Sequence, residues 1–473
     1  MIYRMTAVLF TAALTACATA NQPSRPPMVL PKSLAVDVET QWPENGWWRA
    51  FGSPALSSLI EEARIGNADI AVALARVDQA RANLRSARAP LLPSLDASGK
   101  ALQQGTNSSS GASSGRYANA ELVATWEADL WGRLRSKAQS ARATLTATHH
   151  DQQAVLMAVD AQVATTWLTI GELRTRREIA EDNLVIARSL LAVMEAKRRV
   201  GVALASDVAS QRTLVSQIEA SIAELGRMES EAIAALAVLT GKPAQEMAVE
   251  VPGIERIVLP PISQPGLTAE LLVRRPDVAA AEASLVAAGA DVASARSAML
   301  PRITLSAGGG GQVGAGPSEA LYQLIAGLTA PLFDNGNLAA QRDLATGIWR
   351  ERVASYRKAV LGALADTERC LKAIAYIDQE VVARRTATEQ AQQSFSEVQT
   401  RYVAGKEDRL AVLNAQRVMY DAQDSLAIAT AERLRASVAL YEALGGGWKL
   451  GQPLEARATP LDRGRRPSVR ALD

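Results

Sequence analysis

The sequence predicts a mixed, mainly α-helical fold in which a unit of helix, strand, strand, very long helix and helix occurs twice. Three observations lead to this prediction. Residues 67–99 match residues 275–307 without a gap, two proline-free blocks carry apolar residues at helical spacing, and shorter segments between them alternate in polarity. A repeat of about two hundred residues is too long for a solenoid unit. It indicates a duplicated subdomain with corresponding elements around a common axis, which suits a ring or a tube.

The first 16 residues resemble a bacterial export signal. Arg4 supplies positive charge, Thr6 to Leu14 form an apolar core too short to span a membrane, and Leu-Thr-Ala precedes Cys17. This pattern resembles a lipobox and predicts that Cys17 becomes a lipidated N-terminus, held to a membrane leaflet by acyl chains. Ala18 in place of aspartate favours delivery to the outer membrane. The alternative is a plain signal peptide with an incidental cysteine.

Composition narrows the class of protein further. Alanine is abundant, aromatic residues make up 4%, and the formal net charge of the 473 residues is +2. This composition is typical of long helices and argues against nucleic acid as a partner. Cys370 is the only other cysteine, so lipidation of Cys17 would leave no internal disulfide. No later stretch has eighteen uninterrupted apolar residues, so we expect no transmembrane helix, and a bilayer crossing would require a closed β-barrel.

Proline positions divide the chain. None lies between Ser94 and Lys242 or between Leu332 and Gln452, so each block can hold uninterrupted helices. The predicted segments are a signal at 1–16, an N-terminal arm at 17–55, a first repeat at 56–242, a linker at 243–266, a second repeat at 267–447, and a C-terminal segment with a basic tail at 448–473.

The long helices are predicted at about 133–199 and 338–403, each roughly 100 Å long. Both carry an apolar seam sustained over more than five heptads, which is typical of coiled-coil packing. Arg177 interrupts the first seam and Arg384 interrupts the second, one seam position apart when the two repeats are aligned. Cys370 lies on the second seam, where we expect it to be a small core residue. Glycine turns follow, and return helices are predicted at about 206–240 and 408–444.

Strands are predicted between the first helix and the long helix of each half. Residues 117–130 alternate in polarity with period two, which suits a strand between lipid and a lumen, and 322–332 repeat the pattern. Preceding strands are expected at about 93–103 and 301–307, with loops at 104–116 and 308–318. The glycine run at 308–311 lacks the residues of a phosphate-binding loop, so a flexible hairpin loop is the better interpretation.

No arrangement of residues indicates catalysis. His149 and His150 are the only histidines, and adjacent helical positions point about 100° apart, which does not make a metal site. We expect both to be solvated. The sequence predicts neither an enzyme nor a cofactor.

Several motifs together resemble the TolC-like outer-membrane factors, in the lipoprotein branch of OprM-type and NodT-type proteins. The resemblance covers almost the whole mature chain except the tail after about Leu450. The motifs that carry it are Trp47-Trp48-Arg49-Ala50-Phe51-Gly52-Ser53-Pro54, Asn67 through Pro93, Arg274-Arg275-Pro276-Asp277-Val278, and Arg401-Tyr402 through Gly405 followed by Asn414-Ala415-Gln416-Arg417.

This resemblance implies an assembly and a function. Three protomers would each give four strands to one twelve-stranded outer-membrane barrel, and their helices would form a hollow α-helical barrel through the periplasm. The arm, linker and C-terminal segment would form a belt around it. The implied function is a passive exit duct that works with an inner-membrane transporter and a periplasmic adaptor protein. The main alternative is a lipid-anchored periplasmic coiled-coil scaffold without a pore, and a periplasmic enzyme is a more distant one.

The resemblance also suggests functional residues at the helix ends farthest from the strands. The residues expected to dock the adaptor are Val200, Gly201, Val202, Ala203, Ala404, Gly405 and Lys406. The residues expected to form a weakly acidic pore constriction are Asp207, Asp408, Arg409 and Asn414, with Ala411 and Asn414 standing where relatives often carry aspartate. Structural turns and helix caps are the alternatives for these two groups.

Overall fold

The computed structural model describes residues 42–108, 111–261, 268–313 and 319–448. Cys17, the signal segment and the basic tail, together with Ala18, lie outside the described residues. The duplicated order predicted from the sequence is confirmed by the helices and strands below.

The first unit contains a short helix and then the predicted series. Its elements are α1 (Pro54–Gly66), α2 (Ala68–Arg88), β1 (Ser94–Ser108), β2 (Gly111–Ala128), α3 (Arg133–Arg199) and α4 (Ala205–Thr240). In the described part of the chain, 3-10 turns also lie at Trp47–Phe51, Ala89–Leu91, Ala244–Glu246 and Ile254–Arg256, the last two in the linker.

The second unit repeats the series with nearly identical lengths. Its elements are α5 (Thr268–Arg274), α6 (Pro276–Ser297), β3 (Arg302–Val313), β4 (Glu319–Thr329), α7 (Asn337–Val403) and α8 (Arg409–Ala443). Both α3 and α7 have 67 residues, which gives each a length of about 100 Å. Gly132 and Gly336 precede them in the left-handed conformation, at corresponding positions of the two repeats.

The four strands form one antiparallel sheet in the order β1-β2-β3-β4. Its middle pair joins the two repeats, with Thr125 opposite Ser306. The predicted alternation is confirmed, because one sheet face carries large apolar side chains and the other carries mostly polar ones. The apolar face includes Leu95, Leu122, Trp126, Leu305, Tyr322, Leu324 and Leu328, all exposed.

The loops predicted at 104–116 and 308–318 are wrong in extent. Strand β1 continues to Ser108, β2 begins at Gly111, and β3 runs through the glycines to Val313. These residues pair through their backbones, and a pattern of side chains does not report backbone pairing. Gly310 belongs in the strand for a steric reason, because a Cβ there would overlap the Ala120 carbonyl oxygen of β2.

The predicted coiled-coil seams form real cores. Leu173, Ala180, Leu184 and Ala187 of α3 pack against a stripe on α4, and Phe395 of α7 joins Val412 and Met419 of α8. Cys370 is buried beside Leu271, Ile374 and Leu440, as expected for a small core residue, and burial raises the pKa of its thiol. Arg177, which interrupts the first seam, forms an ion pair with Glu229 on α4.

The N-terminal arm packs against α3 and the C-terminal part of α8. Trp47 stacks on Tyr441 of α8 with ring centroids 5.2 Å apart, and the Arg64 guanidinium lies over the Trp48 ring. Arg64 also makes a two-point ion pair with buried Asp160 of α3. The arm therefore ties α1, α3 and α8 together at one level.

The expectation that both histidines are solvated is wrong. His149 and His150 are half-buried, and His150 meets the Trp448 ring edge-on with centroids 5.4 Å apart. Burial lowers the pKa of His150, and His149 beside it acts in the same direction. The cause is the C-terminal turn, which folds back over α3, a long-range contact that local sequence does not encode.

Two described helices contain an 18-residue window long and apolar enough to cross a membrane, namely α3 and α6. About half of each window, 50% and 44%, is buried inside the protein. Core helices of globular proteins meet the same criterion, so these windows are weak evidence for membrane-spanning helices.

Candidate functional site: the hairpin tips and the sheet

Helices α3 and α4 form one helical hairpin, and α7 and α8 form another. The turns that connect the two helices of each hairpin, called the tips, are similar. In the first, the Lys197 carbonyl accepts hydrogen bonds from the backbone N–H of Val202 at 2.9 Å and of Ala203 at 3.3 Å. In the second, the Arg401 carbonyl accepts one from Lys406 at 2.8 Å. Gly201 has φ 79° and Gly405 has φ 73°, with open space where a Cβ would lie. Glycine is therefore present in both turns for its backbone conformation.

The tips expose apolar side chains. Val200 and Val202 are each 74% exposed and Leu204 is 69% exposed, while Val403 on the second tip is 74% exposed. Ala404, Gly405 and Lys406 are exposed as well, and Ala203 is half-buried. Each tip thus exposes a small apolar surface flanked by charged residues.

An ion pair joins the two tips. Arg409 Nη2 lies 3.1 Å from Asp207 Oδ1, and Arg409 Nη1 donates to the Asp207 backbone carbonyl at 3.5 Å. Both side chains are only about one-fifth exposed. Lys197 lies 4.0 Å above the Tyr402 ring, which makes a second contact between hairpins. Sequence reasoning named Asp207 and Arg409 but missed their pairing, and it missed Lys197 and Tyr402, because neither contact follows from local spacing.

Both tip aspartates also contact helix N-termini. The Asp408 carboxylate accepts from the Ala411 backbone N–H at 2.8 Å, and that of Asp207 accepts from Leu204 at 3.2 Å. These are capping contacts of α8 and α4. Asn414 is exposed six residues beyond the Asp408 cap, nearly two helical turns away.

Farther from the tips, polar contacts hold α3 against α8. Arg176 makes a two-point ion pair with Asp424, at 2.7 and 3.1 Å, and Arg435 reaches Glu172 at 2.5 Å. Asn183 donates to Gln423 at 2.9 Å. The two hairpins are therefore joined along their length, a feature for which the sequence gives no periodic signal.

The polar face of the sheet carries a cross-strand hydrogen bond. Gln323 Nε2 on β4 donates to Glu121 Oε1 on β2 at 2.8 Å, passing over Gly308 of β3. Within the described ranges, no group of three or more His, Cys, Asp or Glu side chains is arranged to hold a metal ion.

A scan against family models matches this chain to the family described as outer membrane efflux protein, at residues 59–242 and 267–446. Among curated relatives, the pyoverdine export outer membrane protein OpmQ of Pseudomonas aeruginosa is 39% identical over 419 residues, covering 85% of this chain and 87% of OpmQ. The toluene efflux pump outer membrane protein TtgC of Pseudomonas putida is 30% identical, covering 86% of each chain.

Solved structures show the same fold. The outer-membrane channel OprN superposes with a TM-score of 0.82 at 27% identity, covering 90% of this chain and 99% of OprN. The CmeC outer membrane channel of Campylobacter jejuni gives 0.85 at 20% identity, covering 91% and 95%. These proteins are channels rather than enzymes. The chain belongs to the outer membrane efflux protein family, and it is an outer-membrane efflux channel that extends into the periplasm.

Proposed function

We propose that this chain acts as a homotrimer that forms the passive exit duct of a tripartite efflux system, with an inner-membrane transporter and a periplasmic adaptor supplying energy and selectivity. The observation that carries the proposal is the sheet, which has one apolar face, one polar face, and edges at β1 and β4. Exposed edges are not tolerated in lipid, where every backbone polar group needs a partner. Three four-stranded sheets joined edge to edge would give a closed barrel of twelve strands.

The faces of the sheet suit that barrel. Large apolar side chains such as Tyr322, 88% exposed, and Leu324, 80% exposed, would face lipid. Glu121 and Gln323, on the opposite face, would face a watery lumen. The helical hairpins would continue the duct through the periplasm.

Conductance tests the duct directly. Detergent-extracted protein is expected to run as heat-resistant trimers and to give discrete conductance steps in a planar bilayer. Folded protein without trimers or steps would favour the periplasmic scaffold instead.

We further propose that the hairpin tips dock the adaptor. The exposed valines and leucine at the ends farthest from the sheet support this, because exposed apolar clusters mark interaction sites. Val202→Arg is expected to abolish efflux while folded trimers remain in the membrane. Val238→Arg is the matched control, since Val238 of α4 is 75% exposed but distant from the tip. Normal efflux from Val202→Arg would contradict the docking role.

For the cargo we propose pyoverdine or a related molecule rather than an apolar solvent. Relatives named for pyoverdine export in two Pseudomonas species are 39% and 38% identical, against 30% for the toluene efflux protein. Expression in a Pseudomonas aeruginosa strain lacking OpmQ is expected to restore pyoverdine in the medium. Rescue of toluene tolerance in a strain lacking TtgC, without rescue of pyoverdine export, would reverse the assignment.

A further inference from the structure

A charged side chain lies on the apolar face of the sheet. Residues of β2 alternate between the two faces, so Arg116 shares its face with Ala118, Leu122 and Trp126. Gln103 of β1 is directly opposite Arg116 in the ladder and lies on that face too. Within the described strands, every other side chain on this face between the levels of Trp126 and Arg116 is aliphatic, aromatic or glycine. Arg116 therefore lies at the edge of an apolar band.

The height of this band equals that of a membrane. Trp126 lies at the end of the sheet nearest the helices, where its indole N–H donates to the Leu91 carbonyl at 3.1 Å. Arg116 is ten residues farther along β2, which corresponds to about 34 Å of strand, or about 24–28 Å of height at the 35–45° tilt of barrel strands. The apolar band of an outer-membrane barrel is about 25 Å tall. Because the helices extend into the periplasm, such a barrel would hold Arg116 at the level of the outer-leaflet headgroups.

The contacts of Arg116 leave most of its guanidinium open. Its Nε donates to Gln103 Oε1 at 3.3 Å, and both side chains are exposed. Strand β3 ends at Val313, opposite Ala118, and does not reach the level of Arg116. A guanidinium carries five N–H donors, and in the described part of the chain only the Nε–H of Arg116 has an acceptor. The hydrogen bond to Gln103 thus orients the side chain, while its Nη donors remain available for an anion.

We propose that Arg116, oriented by Gln103, binds a phosphate group of lipopolysaccharide in the outer leaflet. Arginine presents paired N–H groups that match two oxygens of one phosphate. The lipid A phosphates of lipopolysaccharide lie directly above its acyl chains, which is the depth at which the barrel would hold Arg116. This inference rests on the proposed barrel and adds to it a contact with one class of lipid.

Lys100 provides a comparison within the same strand pair. It is exposed and lies on β1 opposite Asn119, three ladder positions, or about 10 Å, from Gln103 and Arg116. Because three is an odd number of positions, the Lys100 side chain lies on the polar face with Glu121, which would face the lumen. Lys100 therefore has the same charge at a similar height but no access to lipid. Lys100→Gln is the matched control for Arg116→Gln.

Binding of purified lipid A to delipidated trimers tests the proposal, and native mass spectrometry counts the bound lipids. Lipid A with both phosphates is expected to bind equally to the unmodified protein and to Lys100→Gln. Arg116→Gln should bind it roughly tenfold more weakly, because a hydrogen bond between charged groups is lost. Arg116→Lys keeps the charge but loses the paired donors, so its affinity should fall between the two. Lipid A without its phosphates should bind the unmodified protein as weakly as intact lipid A binds Arg116→Gln.

Equal binding of intact lipid A by Arg116→Gln and the unmodified protein would overturn the proposal. Equal affinity of the unmodified protein for intact and dephosphorylated lipid A would also overturn it, because the acyl chains alone would then be bound. Displacement of lipid A by an equal concentration of inorganic phosphate would assign the site to the free anion instead. These outcomes leave the trimeric duct standing, whereas absence of trimers in the unmodified protein would remove the barrel on which the site depends.

Discussion

At the scale of single residues, side chains that take part in local patterns could be predicted and those in long-range contacts could not. Cys370 was correctly predicted as a core residue because it lies on a heptad seam. The burial of His150 depends on Trp448, almost three hundred positions away. The Asp207–Arg409 pair likewise depends on two turns that meet only after both hairpins fold.

Glu442 is expected to make stability depend on pH. Burial raises the pKa of its carboxyl, opposed by Arg275, while Asp366 and Asp277 raise it further. The contribution of Glu442 to folding stability is fully present below the ordinary glutamate pKa of about 4.3, and it is lost as the pH rises through the raised pKa of Glu442. Glu442→Gln should therefore raise the thermal unfolding midpoint at neutral pH and leave it unchanged in acid.

The matched control for that variant is Glu368→Gln on the neighbouring helix. A hydrogen bond from Lys372 lowers the pKa of the exposed Glu368 carboxyl, so its contribution is present at neutral pH and lost as pH falls. Glu368→Gln should leave the neutral-pH midpoint equal to that of the unmodified protein or slightly below it. A difference in midpoint between Glu442→Gln and the unmodified protein that is the same in acid and at neutral pH would contradict the role of burial.

Charge at the tips is expected to set ion selectivity. We propose that Asp207 and Asp408, each present three times in a trimer, form a weakly acidic constriction with Arg409 and neutral Asn414 beside them. Asp207→Asn with Asp408→Asn removes the charge but keeps residues that cap helices well. The double variant should show reduced cation preference in single-channel recordings. Unchanged selectivity would leave only the capping contacts and the Asp207–Arg409 ion pair as roles for these aspartates.

Lipidation of Cys17 remains a prediction from the sequence. Labelled fatty acid is expected to enter the unmodified protein and to be absent from Cys17→Ser. Trimers should persist in that variant, because the barrel would keep the protein in the membrane without the acyl chains. Label retained by Cys17→Ser would show that the anchor lies elsewhere or does not exist.

At the scale of elements, the long helices were predicted almost to the residue and the strands were not. Heptad seams and glycine turns bound α3 and α7 on both sides, so the predicted 133–199 and 338–403 agree with the observed helices. Toward their connecting turns the strands extend farther than predicted, because the residues there are mostly glycine or small polar residues. Such residues are typical of loops by composition, yet they pair in a ladder when a neighbouring strand is available. At the other end, β2 and β4 stop at Ala128 and Thr329, before the predicted ends at 130 and 332.

Gly310→Ala is expected to disrupt the pairing of β2 with β3, because the added methyl group would overlap the Ala120 carbonyl oxygen. We expect a loss of about 1–3 kcal/mol, as for an overpacked site, measured as reduced heat resistance of extracted trimers. Gly99→Ala in β1 is the control, since its nearest cross-strand atom would be 3.9 Å away. Equal stability of the two variants would show that the close approach at Gly310 is absent.

At the scale of the whole molecule, the repeat predicted the arrangement of elements, whereas the contacts that join the two repeats are seen only in the folded chain. Lys137 of α3 forms an ion pair with Asp291 of α6 at 3.4 Å, and the Ser294 hydroxyl donates to the Arg133 carbonyl at 3.1 Å. Neither contact follows from the sequence pattern of one repeat.

The equal lengths of α3 and α7 limit how this protein can change in evolution. Both hairpins reach the same level only because each long helix has 67 residues, and the Asp207–Arg409 and Lys197–Tyr402 contacts depend on that level. An insertion in one helix would separate these partners and break its seam. Only a matched change of seven residues in all four hairpin helices would preserve them, altering the reach by about 10 Å. The length of the helical hairpins can therefore change only by whole heptads, made in all four helices together.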